Sequence, residues 1–185
     1  MEEINKLRKI YQLKNVERVG PVGKRKESPA EHTWSALILA DYFLSKIKEK
    51  LDRLKVYELL MYHDVVEIET GDVCISKVEE RKVKQEKELE AAEELKESLP
   101  KIIGEKFYDL FIEFEEQNTR EAKFAKAIEY LDAEIHFLDY KEYWKGWDEN
   151  KVRRLKGLYH KEFPEVNEAF EEMLAYARKE GYFGQ

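Results

Sequence analysis

Apolar residues recur along this chain at three- and four-residue spacings, the period of a helix face. Ile4, Leu7, Ile10 and Leu13 predict a first amphipathic helix. Gly20, Pro21 and Gly23 make residues 15–27 a loop. "SPAE", Ser28 to Glu31, is a capping box with proline at the first helical position. The helix it starts is expected to bury Leu37, Ala40, Phe43, Leu44 and Ile47. Asp52 can cap a helix over 53–69 that Gly71 closes. Residues 77–97 are densely charged around a thin stripe of Leu89, Ala92 and Leu95, the pattern of a solvated helix. Further helices are expected near 101–116, 119–142, 149–158 and 164–180, two of them with Pro100 and Pro164 at their starts. No alternating run, repeat or linker interrupts this series. The expected fold is all-α, one helical domain over 1–185, with C-terminal helices at about 149–180.

Composition narrows the picture. A chain of 185 residues suits one domain with one core. Hydrophobic residues at 43% and charged residues at 39% argue against disorder. The net charge of −7 and the lack of a basic stripe argue against a nucleic-acid polymer as partner. The single cysteine, Cys74, precludes an internal disulfide framework and suits a reducing compartment. No apolar run approaches the roughly 18 residues of a membrane span, and "MEEINKLRKI" lacks the apolar segment of a signal peptide. A soluble cytoplasmic protein is expected.

Within "LLMYHDVVEIETGD" (59–72), charged groups interrupt an apolar helical pattern, and burying them is costly unless they are paired or bound to metal. His63 alone reads equally as a buried, hydrogen-bonded histidine. Glu67, however, follows His63 by four residues and Asp64 by three, so the three can share one side of the helix. His32 lies in the first turn of the capped helix, where a packing or solvent-facing role is as good a reading. Asp132 falls beside the stripe of Phe124, Ile128, Leu131, Ile135 and Leu138, where a carboxylate wants a cation, either metal or a basic side chain. His136 is an alternative partner there. Together His32, His63, Asp64 and Asp132 form a mixed nitrogen–oxygen set that suits one divalent first-row metal ion better than calcium or a thiolate-rich structural zinc.

In order along the helices, these residues make an H…HD…D pattern, and the chain resembles the HD-domain metal-dependent phosphohydrolases. "ESPAEHTW", "YHDVVEIETGD", "EEQNTREAKFAKAIEYLDAE" and the early Arg18 are similar to the branch containing the 5′-deoxynucleotidases, over about residues 4–145. The resemblance implies a divalent ion (Mn, Co, Ni, Fe, Zn or Mg) held by His32, His63, Asp64 and Asp132. It implies that Glu67 serves catalysis, that Arg18 orients the substrate phosphate, and that Asp72 meets the sugar hydroxyl. Asp72, Val73, Cys74 and Ile75 would line the nucleoside side of the pocket. Two departures stand out: Val19 replaces a tryptophan that follows the arginine in some bacterial members, and "VCI" replaces their Leu-Pro-Thr.

The activity implied is hydrolysis of deoxyribonucleoside 5′-monophosphates. A triphosphate or cyclic-nucleotide substrate and a non-catalytic nucleotide sensor are the alternatives. A homodimer is expected, with the C-terminal helices or the aromatic segment "YKEYWKGWDE" (140–149) supplying either the interface or a lid on the core. Lys24, Arg25 and Lys26 form either a solvated loop or a device that steers anions. No Walker loop, G-x-G-x-x-G or CxxC is present. Cys74 lacks the neighbouring base that a thiolate nucleophile needs and reads as a small packed side chain.

Overall fold

The structure, a computed structural model, describes residues 1–72 and 78–184, the side chains of 78–86 apart. Among the described residues it is helical throughout, save for one small hairpin. Helix α1 (Glu2–Ile10) runs into a 3₁₀ turn (Tyr11–Asn15). The stretch expected as loop contains strands β1 (Pro21–Val22) and β2 (Arg25–Lys26), too short for alternation to reveal. Gly23, at φ +61°, makes the two-residue turn between them.

Helix α2 (Pro29–Leu44) starts as its sequence demands. The Ser28 hydroxyl accepts from the Glu31 N–H, and the Glu31 carboxylate accepts from the Ser28 N–H at 2.9 Å. Helix α3 (Arg53–Tyr62) is capped by Asp52, which accepts from the Lys55 N–H. The expected continuous helix to residue 69 is broken. Val65, Glu67 and Ile68 donate to carbonyls three residues back, a tighter turn that precedes the short α4 (Glu67–Thr70). Gly71, at φ +68°, ends it.

Helices α5 (Val78–Ser98) and α6 (Lys101–Glu116) pack closely. A Cβ on Gly104 would lie 2.1 Å from the Lys96 carbonyl oxygen, so only glycine permits this approach. Helix α7 (Arg120–Phe137) contacts α2, α3 and α6 and is the central element. It ends five residues before the sequence expectation, and a 3₁₀ turn (Lys141–Trp144) follows. The expected helix at 149–158 is two pieces, α8 (Glu149–Leu155) and α9 (Gly157–His160), and α10 (Pro164–Lys179) completes the chain.

The core is a single cluster that includes Leu59, Leu60, Phe107, Phe114, Phe124, Ile128 and Leu131. Burying each such side chain contributes on the order of 2 kcal/mol. The 140–149 aromatics serve this chain's own core in part: Trp144 is buried against Tyr182, and its indole N–H donates to the Phe137 carbonyl. No helix of the described residues is long and apolar enough to cross a membrane.

Candidate metal centre

The site lies where α2, the α3–α4 turn and α7 meet. The capping box fixes the first turn of α2, and His32 sits one residue beyond it, buried. His63 ends α3 and is also buried, its ring 5.5 Å from that of His32 and 5.2 Å from Phe114.

The two imidazoles are held alike. His63 Nδ1 lies 2.7 Å from the Leu60 carbonyl oxygen, which can only accept, so Nδ1 carries the hydrogen. His32 Nδ1 lies 2.8 Å from Asp132 Oδ2, and this carboxylate also accepts from the Ser35 hydroxyl at 2.8 Å. Each ring therefore turns Nε2 inward. Both Nε2 atoms are buried and, among the described residues, make no hydrogen bond.

Glu129, on α7, joins them. One ligand atom from each of His32, His63 and Glu129 lies within 4.8 Å of the others. Glu129 Oε2 is buried without a hydrogen bond and lies 3.2 Å from Lys126 Nζ. Burial alone would raise the Glu129 pKa, but Lys126 and His63 bring it below its ordinary value, so the carboxylate is ionised. Asp64 Oδ1 is 3.2 Å from His63 Nε2, close to the separation of about 3 Å between neighbouring donors around an ion with ligand distances near 2.1 Å. The Asp64 carboxyl is depressed far below the usual range: burial opposes this, and His63, Arg18 and His32 outweigh it. Burial would lower the His63 pKa too, and Asp64 turns the net shift upward.

Among the described residues, Nε2 of both histidines and Glu129 Oε2 are thus buried without a hydrogen bond, one ligand atom of each of these residues lies within 4.8 Å of the others, and Asp64 Oδ1 stands beside His63. Buried polar atoms left this way are costly, and a divalent first-row ion satisfies all of them. The donor set fits the implied metal.

The sequence-expected residues divide as follows. His32, His63 and Asp64 come together. Asp132, expected to be the fourth ligand, has its Oδ2 2.8 Å from His32 Nδ1, and a second α7 carboxylate, Glu129, also reaches the two histidines. The two lie three residues apart on one helical face, so periodicity alone does not choose between them. His136 and His160 are elsewhere, His136 with Nδ1 3.6 Å from Glu27 Oε1 and His160 packed on Phe170.

Arg18 adjoins the centre. Its Nη1 donates to Asp64 Oδ2 and its Nε to Glu27 Oε2, each at 3.2 Å. Burial would lower the Arg18 pKa, but Asp64, Asp72, Glu67 and Glu27 drive it above its ordinary value. Glu67, the first residue of α4, is buried within this electrostatic neighbourhood. Asp72 Oδ2 accepts from the Val19 N–H at 3.1 Å and so ties the arginine loop to the end of α4. The Val19 side chain is exposed. Val73, Cys74 and Ile75 lie outside the described residues. Of the "GKRK" cations, Arg25 pairs with Glu31 and Lys26 with Glu17. Glu129 and Glu27 were not singled out in the sequence. Glu129 was visible there as a second acid on the same face of α7; for Glu27 no periodic signal exists.

The family model described as "HD domain" matches residues 10–173. The 5′-deoxynucleotidase HDDC2 of Bos taurus is 30% identical over 156 residues, covering 83% of this chain and 72% of that protein. The HDDC2 5′-deoxynucleotidase of Homo sapiens is 28% identical, with 83% and 72% covered. Among solved structures, a predicted metal-dependent phosphohydrolase from Magnetospirillum magnetotacticum superposes with a TM-score of 0.87 at 26% identity, covering 100% of this chain and 97% of its own.

Proposed function

The chain belongs to the HD domain family and is a metal-dependent phosphohydrolase; from that premise we propose that it hydrolyses deoxyribonucleoside 5′-monophosphates to deoxynucleoside and phosphate. The observation that carries the reading is the approach of His32, His63 and Glu129 to one another, with Asp64 beside His63 and next to the part-buried Arg18. The HDDC2 relatives, named as 5′-deoxynucleotidases, supply the substrate class.

In this reading His32, His63, Asp64 and Glu129 are the metal ligands. Asp132 orients His32 by accepting its Nδ1–H, the outer-shell role that fixes a ligand's tautomer. A divalent ion in this place supplies positive charge to the phosphate oxygens and acidifies a water. Arg18 takes a phosphate oxygen through its guanidinium, which is planar and charged at any working pH. Glu67 accepts the proton of the attacking water. The water oxygen bonds to phosphorus, the P–O5′ bond breaks, and the proton that Glu67 removed passes to O5′, so that the deoxynucleoside and phosphate leave and Glu67 is ionised again. Asp72, already fastened to the Val19 backbone, stands at the sugar side, where a carboxylate crowds a ribose 2′-hydroxyl.

A two-metal site of the kind suited to other phosphate esters would need further histidine ligands. Neither His136 nor His160 is among the converging atoms of the described residues. The test is phosphate release from matched deoxy- and ribonucleoside 5′-monophosphates with Mn²⁺, Co²⁺, Mg²⁺ or chelator. Metal-dependent turnover that favours the deoxy series is expected. Equal turnover of both series would remove the sugar role of Asp72, and nucleotide binding without turnover under every metal would make the chain a sensor.

A further inference from the structure

A guanidinium at the end of a long, flexible stem recognises phosphate well only if its plane is fixed beforehand. Arg18 is fixed on two sides. Asp64 holds Nη1, and it belongs to the proposed ligand set. The other support, Glu27 on Nε, has no place in that set. Glu27 is 5% exposed, a carboxylate buried next to a pocket meant for an anion. Standing alone it would repel the substrate and carry the cost of burial.

Its surroundings account for it. The Arg18 N–H donates to the Glu27 carbonyl and the Glu27 N–H donates to the Gly20 carbonyl, both at 2.8 Å. These bonds extend the β1–β2 ladder downward, so the hairpin brings residue 27 back beside residue 18. The Gly23 N–H donates to the Tyr140 hydroxyl at 3.1 Å, and a Cβ on Gly20 would lie 3.1 Å from His136 Nε2, so the hairpin rests on the end of α7. From that side His136 Nδ1 faces Glu27 Oε1 at 3.6 Å. Among the described residues Nη2 of Arg18 makes no hydrogen bond, and it is the edge left for a phosphate oxygen.

We infer that Glu27 is a positioning residue: the hairpin delivers its carboxylate to Arg18 Nε, and this presets the guanidinium for the substrate phosphate. The inference rests on the reading of Arg18 as the phosphate-binding group. Its weight lies in the hairpin, which ties Glu27 to Arg18 through both backbone and side chain.

The test is a double-mutant cycle on the metal-loaded protein, read as competitive inhibition by inorganic phosphate and as the split between kcat and KM. The variants are Arg18→Ala, Glu27→Ala, their combination, and Glu27→Gln. Hydrogen bonds to charged groups of this kind carry enough energy for roughly tenfold effects. Arg18→Ala should therefore weaken phosphate inhibition by about tenfold or more, and Glu27→Ala by a similar factor. The combined variant should be no worse than Arg18→Ala alone, because Glu27 acts only through Arg18. Glu27→Gln should fall between wild type and Glu27→Ala, since an amide oxygen still accepts from Nε. Metal affinity and melting temperature of Glu27→Gln should match wild type, which separates positioning from folding.

Unchanged phosphate inhibition in Glu27→Ala would overturn the inference, as would equal losses in the wild-type and Arg18→Ala backgrounds. Should the wild type turn over a different phosphate ester, the substrate reading fails while the phosphate cycle still decides the role of Glu27. Should it neither bind phosphate nor turn over any ester, both fail.

Discussion

At the scale of single residues, the site turns on which nitrogen of each histidine carries hydrogen. Leu60 and Asp132 settle this by accepting from Nδ1 of His63 and His32, which leaves both Nε2 lone pairs for a cation. On the proposed reading the two acids of α7 have different jobs, and substitutions should separate them. Asp132→Asn keeps an acceptor for His32 but weakens its polarisation, and such outer-shell changes lower metal affinity by about 10–100-fold. Glu129→Gln removes an anionic ligand and should cost more than that, to the point where stoichiometric Mn²⁺ no longer binds. Chelator-competition titrations of the two variants measure this. If Asp132→Asn abolishes binding while Glu129→Gln retains it, the roles are reversed. The sequence made His32, His63, Asp64, Glu67 and Arg18 legible because each stands in a motif. It pointed to Asp132 on α7 and passed over Glu129, which shares that helical face and whose approach to the two histidines depends on the distance across to α2 and α3.

At the scale of elements, helix starts were the most legible feature, since Ser28 and Asp52 write their caps into the chain. Breaks were not. The turn at 63–66 has good helix formers on both sides, and only the packing of His63 and Glu67 into one site requires it. The hairpin at 21–26 escaped because two-residue strands carry no period. The junction of α7 with α8 and α9 holds a buried pair of titrating groups outside the site. Burial pushes Glu134 up to about 7, although Lys156 Nζ lies 3.5 Å away and pulls it down. Burial, followed by the charge of Lys156, pushes His160 down to about 4. The Glu134 contribution to stability is full below its unfolded value of 4.5 and is lost as pH rises through about 7. The His160 contribution runs oppositely: full above 6.5, lost as pH falls through about 4. The two slopes offset each other over their shared range. Glu134→Gln should unmask the His160 slope: the stability of the variant relative to wild type should rise by about 3 kcal/mol from pH 4.5 to 7. Urea midpoints at several pH values test this. A difference that stays constant with pH would mean that Glu134 is ionised throughout.

At the scale of the whole molecule, four separate parts of the chain meet at one point: the hairpin through Arg18, α2 through His32, the α3–α4 turn through His63 and Asp64, and α7 through Glu129. Such convergence places like charges together. Asp64, Glu67, Glu129 and Glu27 are all wholly or largely buried there, facing Arg18 and Lys126 as the cationic side chains. A divalent cation relieves this imbalance only in the folded state, because the unfolded chain does not hold the four proposed ligands together. Binding must then stabilise the fold by linkage, about 2.7 kcal/mol when the free ion is at 100 times its dissociation constant. For a domain of this size that corresponds to a rise in melting temperature of roughly 5–10 °C. The expected result is such a rise with Mn²⁺ or Co²⁺, its reversal by chelator, and no shift in His63→Ala. The same ion should leave Glu134→Gln as responsive as wild type, because that residue lies outside the convergence. A melting temperature unmoved by every first-row divalent ion would mean that the four donors do not form a metal site. The Lys126–Glu129 and Arg18–Asp64 pairs would then have to account for the buried carboxylates by themselves.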